Sequence, residues 1–229
     1  DGKSSLVYAG VVPHARAGLF KAKYNSWAIA DFRPERTPLD NLAIALNKFF
    51  GFEDVETLKK ELGYGFSSLI DVYKKSPLYL NLEGKEWLEA DDAKKKLLKR
   101  KSSNLLIIAD QFEEFFTNTE NYHNGIASVE SQTVINLLLE TARIALAQDI
   151  PIYIICTMRS DYIGQCAAFR GLPEYIGFSQ FFVPRLKRNE IAQVVEEPAQ
   201  LNGDSISRRL SERLLNDITE GYDQLPILQ

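Results

Sequence analysis

Two runs of the chain, 104–110 (NLLIIAD) and 150–157 (IPIYIICT), are apolar, rich in β-branched residues and free of polar alternation. That is the pattern of central strands in a parallel sheet covered on both faces. A third run, 25–32 (NSWAIADF), is short, apolar and followed by Pro34, and predicts another buried strand. Residues 133–148 between the first two runs are broadly apolar over a helical length. Strand, helix and strand in that order form a crossover unit, so the expected fold is α/β, a parallel sheet flanked by helices.

Helical patterns fill most of the remainder. Thr37 is placed to cap a helix and Pro38 suits its first position, with Leu39, Leu42, Ala43, Leu46, Phe49 and Phe50 on one face to pack on the sheet. From 53 to 100 the pattern is helical in pieces, punctuated by Gly63, Gly65, Pro77 and Gly84. Val55, Leu58 and Leu62 mark one face, and Phe66, Leu69, Ile70 and Tyr73 another. The last piece is acidic early (Glu86, Glu89, Asp91, Asp92) and basic late (Lys94 to Lys101), which matches a helix dipole at both ends and reads as a solvated surface. Residues 179–183 are a candidate further strand. Residues 190–198 and 206–218 then predict two helices, with Gly221 as the stop. The expected division is a core over 1–185 and a small helical lid beginning at 186 and running to 229.

Composition narrows the function classes. With 27 Lys and Arg against 31 Asp and Glu the net charge is −4, which does not draw the chain onto phosphate backbones or anionic membranes. Neither direct nucleic-acid binding nor membrane attachment is expected. Cys156 and Cys166 lack metal-ligand spacing and His14 and His123 are the only histidines, so a zinc site is not expected and a reducing, cytoplasmic setting is. The longest apolar runs fall far short of the roughly 20 residues that span a bilayer.

The chemistry concentrates at a few points. Gly2-Lys3-Ser4 reads as the end of a P-loop, a helix N-terminus whose amides cradle phosphates, whose lysine reaches the β and γ phosphates and whose hydroxyl binds magnesium. Alone it is a short and common tripeptide. Such a site also needs an acid at the end of an apolar strand, and Asp110 supplies one roughly a hundred residues later. Glu113 and Glu114 follow, where a carboxylate could polarise water, although an acidic helix start reads the same way. Thr157 and Arg159 follow the next strand, at the end where open parallel sheets bind ligands. A plain Arg159–Asp161 salt bridge is the structural alternative.

Taken in order, GKSSLVYAGVVP, LLIIADQFEEFF, YIICTMRSDYIGQC, FFVPRLKRNEI and EGYDQLPILQ resemble the STAND class of P-loop NTPases, and within it the bacterial group whose Walker B reads DQFEE. The resemblance spans essentially the whole chain. It implies a P-loop NTPase core with a helical lid that holds ADP at rest and exchanges it for ATP when a sensor domain is engaged. The ATP form would then assemble into a homo-oligomer that activates an effector, in signalling or phage defence, with sensor and effector outside this segment. By the same resemblance Gly2 and Lys3 would contact nucleotide phosphates, Ser4 magnesium and Ser5 a further phosphate. Asp110 would be the Walker B magnesium ligand, Arg159 the sensor of the γ-phosphate, and Pro226 the lid proline on the nucleotide.

One departure bears on catalysis: Gln111 stands where many P-loop ATPases place the catalytic glutamate. The base would then be Glu113 or Glu114, and slow turnover would suit a switch. The strand that normally leads into a P-loop is expected upstream of residue 1. Three functions remain open on sequence: a slow ATP-driven switch, a nucleotide-binding or nucleotide-free scaffold in which the acids and Arg159 only hold structure, and a continuously cycling motor.

Overall fold

The structure is a computed structural model and describes residues 2–217. Gly221, Pro226 and the whole EGYDQLPILQ block lie outside the described residues. Two compact units are present among the described residues, one over 4–180 and a second that combines 181–217 with residues 2 and 3.

A helical run opens the chain: α1 (Lys3–Ser5), a π-helical segment Leu6–Val11 and α2 (Val12–Arg16). The π spacing is direct, since the Val12 N–H donates to the Val7 carbonyl five residues back. Pro13 has no N–H to offer, so wider spacing just before it lets the run continue. Strand β1 (Ser26–Phe32) follows, then α3 (Pro38–Phe50), α4 (Val55–Leu62), α5 (Ser68–Lys75), α6 (Lys85–Leu88) and α7 (Asp92–Lys101). Next come β2 (Ser103–Ala109), α8 (Glu114–Thr117), a short hairpin of β3 (Tyr122–His123) and β4 (Ile126–Ala127), α9 (Val129–Gln148) and β5 (Ile152–Cys156). A 3-10 segment Ser160–Ala168 and α10 (Leu172–Ser179) complete this unit, and α11 (Arg188–Leu201) and α12 (Arg208–Asp217) belong to the other.

The three strands expected from the apolar runs form one parallel sheet in the order β1-β2-β5. Alternation along the strands divides its two faces. Ala28, Ala30 and Phe32 of β1, Leu105, Ile107 and Ala109 of β2, and Ile152 and Ile154 of β5 point into the main core with Leu42, Leu46, Leu69, Tyr73, Leu137 and Leu138 from α3, α5 and α9. The other face carries Trp27, Ile29, Leu106, Ile108 and Ile155 against Val7, Val11 and Val12 of the opening helical run. Helices therefore cover both faces, the condition under which β2 can be continuously apolar. The register aligns Phe32 with Ala109 and Ala109 with Cys156. The residues that leave the three strands, Arg33, Asp110 and Thr157, consequently emerge in one row.

Several local expectations change. Thr37 precedes α3 but makes no side-chain cap, and the Leu39 N–H at the helix start donates instead to Glu130 Oε1 at 2.9 Å. Helix α9 begins at 129 rather than 133, because Ser128 caps it by accepting from the Ser131 N–H. Phe66 is exposed and contributes nothing to the core. Residues 179–183 are not a strand. Ser179 ends α10, whose start is set by Gly171 at φ 89° and a proline in its first turn, and Phe181 and Phe182 beyond it stand 79% and 61% exposed, without a partner strand. Pro198 lies inside α11 rather than at its end, and α12 joins α11 through a Ser211 hydroxyl that donates to Glu196 Oε1 at 2.6 Å.

One buried polar residue fixes where β1 begins. Asn104 is fully buried; its Oδ1 accepts from the Tyr24 N–H at 3.1 Å and its Nδ2 donates to the carbonyls of Tyr24 at 2.6 Å and Ser26 at 3.0 Å. Truncation leaves buried backbone groups without partners, each costing about 1 to 3 kcal/mol. Asn104→Ala is expected to lose about 2 to 4 kcal/mol, a fall of roughly 5 to 15 °C in melting temperature for a chain of this size. Thermal unfolding followed by circular dichroism checks it.

Candidate functional site

The row at the carboxyl ends of the strands centres on Asp110, whose side chain has no exposure to solvent. Its Oδ1 accepts two hydrogen bonds of 2.6 Å, one from the Ser4 hydroxyl and one from the Thr157 hydroxyl. Its Oδ2 is buried and accepts no hydrogen bond; Arg33 Nη2 stands 3.3 Å away. The sheet ladder continues through this row, as the Asp110 N–H donates to Phe32 O, the Thr157 N–H to Ala109 O and the Phe112 N–H to Thr157 O. Gln111 sits between them at φ 55°, a left-handed conformation uncommon outside glycine and asparagine, and its N–H donates to Thr157 Oγ1 at 3.0 Å. The Gln111 backbone therefore ties the segment after β2 to Thr157.

Glu113 and Glu114 are both half-buried but differ in attachment. Glu113 Oε2 accepts from the Arg159 N–H at 3.3 Å, linking the segment after β2 to the segment after β5. Glu114 Oε2 accepts from the Glu35 N–H at 2.8 Å and so anchors the loop after β1. Glu35 is itself left-handed, at φ 46°, and its carbonyl accepts from both Asn118 and Asn121 side chains. Asn41 Nδ2 donates to the carbonyls of Arg33 at 3.0 Å and Pro34 at 3.2 Å. Four side chains thus pin the loop that presents Arg33.

Arg159 Nη2 pairs with Asp161 Oδ2 at 2.7 Å, and its guanidinium lies over the Tyr162 ring, 5.9 Å from the centroid. The salt bridge weighed from sequence is therefore present, at the strand end where the γ-phosphate sensor is expected. Lys3, half-buried, and Ser5, exposed, flank Ser4 in the first helical turn, behind Gly2 at φ 82°. Pro226 lies outside the described residues.

Two residues near Asp110 were not singled out from the sequence. Arg33 carried a signal, since it is the residue that leaves β1, but using it requires knowing that β1 lies next to β2 in register. Tyr8 lines, with Asp31, Arg33, Glu35 and Lys48, a cleft of about 370 Å³ beside β1 and α3. Burial, with Asp110 and then Asp31 adding to it, raises the Tyr8 phenol above its ordinary value.

The magnesium implied by the resemblance can be set against these residues. A magnesium ion that bridges a nucleotide is held by one or two protein oxygens and completes its shell with phosphate oxygens and water. Ser4 Oγ and the Asp110 carboxylate are that donor set, already 2.6 Å apart, and Oδ2 offers a buried oxygen without a hydrogen-bond donor. The residues fit the ion. Among the described residues no group of three or more His, Cys, Asp or Glu could hold a metal, which excludes from them an all-protein cage but not a site completed by a nucleotide.

The Glu114 carboxyl is raised above its ordinary range by burial, with the Glu35 N–H and Arg33 opposing. A carboxyl raised in the folded state stabilises the fold below its unfolded pKa, and that contribution is lost as pH rises through the folded value. Glu114→Gln, which still accepts from Glu35, should therefore become more stable relative to the parent as pH rises from about 4 to 7. Denaturant unfolding of both proteins across that range checks the sign.

Comparison with curated proteins and comparison with solved structures each give no match. Among the described residues no helix is long and apolar enough to cross a membrane. A family match covers residues 1–229, Ser4 of the opening helix meets Asp110 at the carboxyl end of the parallel sheet, and the chain belongs to the Novel STAND NTPase 1 family of nucleotide-binding P-loop NTPases.

Proposed function

We propose that this chain is the nucleotide-binding part of a STAND molecular switch. It binds ATP and ADP with Mg2+, hydrolyses ATP slowly, and in its ATP form assembles with further copies to activate an effector in bacterial signalling or phage defence. Sensor and effector lie outside the segment, the setting is cytoplasmic, and residues 186–229 act as a helical lid that includes Pro226. The observation that carries the reading is the Ser4–Asp110 hydrogen bond, which joins the P-loop hydroxyl to the acid that ends β2 across 106 residues.

The residue roles are those the family resemblance implies. Gly2, Lys3 and Ser5 would serve the phosphates, and Ser4 and Asp110 would hold the ion, whose charge would neutralise phosphate oxygens. Glu114 is engaged with the Glu35 loop, whereas Glu113 lies beside Arg159. That division supports Glu113 as the residue that orients and deprotonates water, and Arg159 as the donor to the γ-phosphate. Turnover is expected to be far below the roughly 10 per second of a typical enzyme, because Gln111 holds the position next to Asp110 and offers no base. A scaffold that binds nucleotide without hydrolysis is separated from this reading by measured turnover.

Asp110→Asn is expected to remove most of the magnesium dependence of ATP binding while the fold persists. Titration of a fluorescent ATP analogue with and without Mg2+ reads this, and undiminished magnesium dependence would sink the assignment. Glu113→Gln is expected to slow hydrolysis by about a hundredfold or more, in keeping with loss of a general base, and to leave ATP bound. Glu114→Gln should change turnover much less. Single-turnover hydrolysis of the two variants decides between the carboxylates, and equal rates in both would leave Glu113 without a catalytic role.

A further inference from the structure

Arg33 stands where a cation acts on Asp110, yet nothing in the P-loop reading assigns it a part. Its side chain is half exposed, at 51%, while that of Asp110 is wholly buried, and Nη2 lies 3.3 Å from Oδ2. The other carboxylate oxygen is already satisfied by Ser4 and Thr157. Oδ2 therefore depends on the guanidinium for its neutralisation. A buried carboxylate without a counter-charge is costly, so this approach stabilises the fold when no metal is present.

The same oxygen is the one a magnesium ion, or a water in its shell, would use. A dication and a guanidinium cannot both crowd one buried oxygen without strong repulsion. The Arg33 backbone is fixed by Asn41, so only its side chain is free to respond, and the neighbouring cleft offers it other carboxylates on Asp31 and Glu35. We propose that Arg33 is a built-in competitor of magnesium: it neutralises Asp110 in the metal-free protein and must leave that oxygen for the ion to bind. This rests on the assignment of Asp110 as a magnesium ligand. Its consequence is that metal affinity is held below the level that Ser4 and Asp110 alone would give, and that metal-loaded nucleotide repositions the loop cation after β1.

The test uses the full chain, with Mg2+ titrated against a fixed amount of bound fluorescent ATP analogue. Arg33→Ala is expected to bind Mg2+ about three- to tenfold more tightly, the range for removing one half-exposed competing charge. In metal-free buffer the variant should melt below the parent, and Mg2+ with ATP should close that gap. Arg33→Gln, which keeps much of the side-chain volume, should give the same tightening and serves if the alanine variant does not fold. Arg36→Ala, which removes an equal charge that pairs with Glu120 at 3.6 Å, should leave Mg2+ affinity unchanged. Unaltered Mg2+ affinity in both Arg33 variants overturns the inference, and weaker affinity overturns it in favour of direct phosphate binding by Arg33. Asp110→Asn separates the two levels. If it retains magnesium dependence the site assignment itself fails; if it loses it while the Arg33 variants match the parent, only the competition fails.

Discussion

A carboxylate fully withdrawn from water must be satisfied by the protein around it, and in this fold that carboxylate belongs to Asp110. Its partners come from three places far apart in sequence: Ser4 in the first helical turn, Arg33 after β1 and Thr157 after β5. Each element can contribute only if the sheet order and register are correct. The buried acid therefore ties its own satisfaction to the topology, and misplacement of β1 or β5 would remove one of its partners.

The sheet meets that requirement with little adjustment. Parallel pairing aligns Phe32, Ala109 and Cys156, so the next residue of each strand faces the same end. The loop residues beyond each strand then set the chemistry. After β2 the chain turns through the left-handed Gln111, which directs Glu113 towards the segment after β5 and Glu114 towards the loop after β1. Two adjacent acids thereby acquire different environments, one bound to the Arg159 amide and the other partly desolvated against Glu35. The strained turn is held by backbone bonds on both sides, from Asp110 to Phe32 and from Phe112 to Thr157.

Much of this was legible in the sequence because central strands of a parallel sheet are apolar throughout, the pattern that 104–110 and 150–157 carry. Sequence reasoning brought Ser4 and Asp110 together as expected ligands of one ion, and the structure shows a direct hydrogen bond between the two side chains. The pairing of β1 with β2 was not legible, because hydrophobic periodicity gives strands but no neighbours, and Arg33 was missed with it. The failed strand at 179–183 has the same origin. Phe181, Phe182 and Val183 have strand-like composition, but a strand also needs an edge to pair with, and composition does not report one.

Energetics limit what any one of these residues can do in the proposed switch. Carrying a two-state equilibrium from almost wholly closed to almost wholly open takes about 5.5 kcal/mol of differential binding. A single charged hydrogen bond, such as Arg159 could donate to a γ-phosphate, contributes roughly 1.5 to 3 kcal/mol. An arginine in that role would be insufficient by itself, and the difference would have to be gathered from several contacts that change together. The geometry around Asp110 is suited to that, because Ser4, Arg33 and Thr157 meet on one carboxylate. A shared buried charge brings residues from separate segments to one point, where their contributions interact rather than simply add.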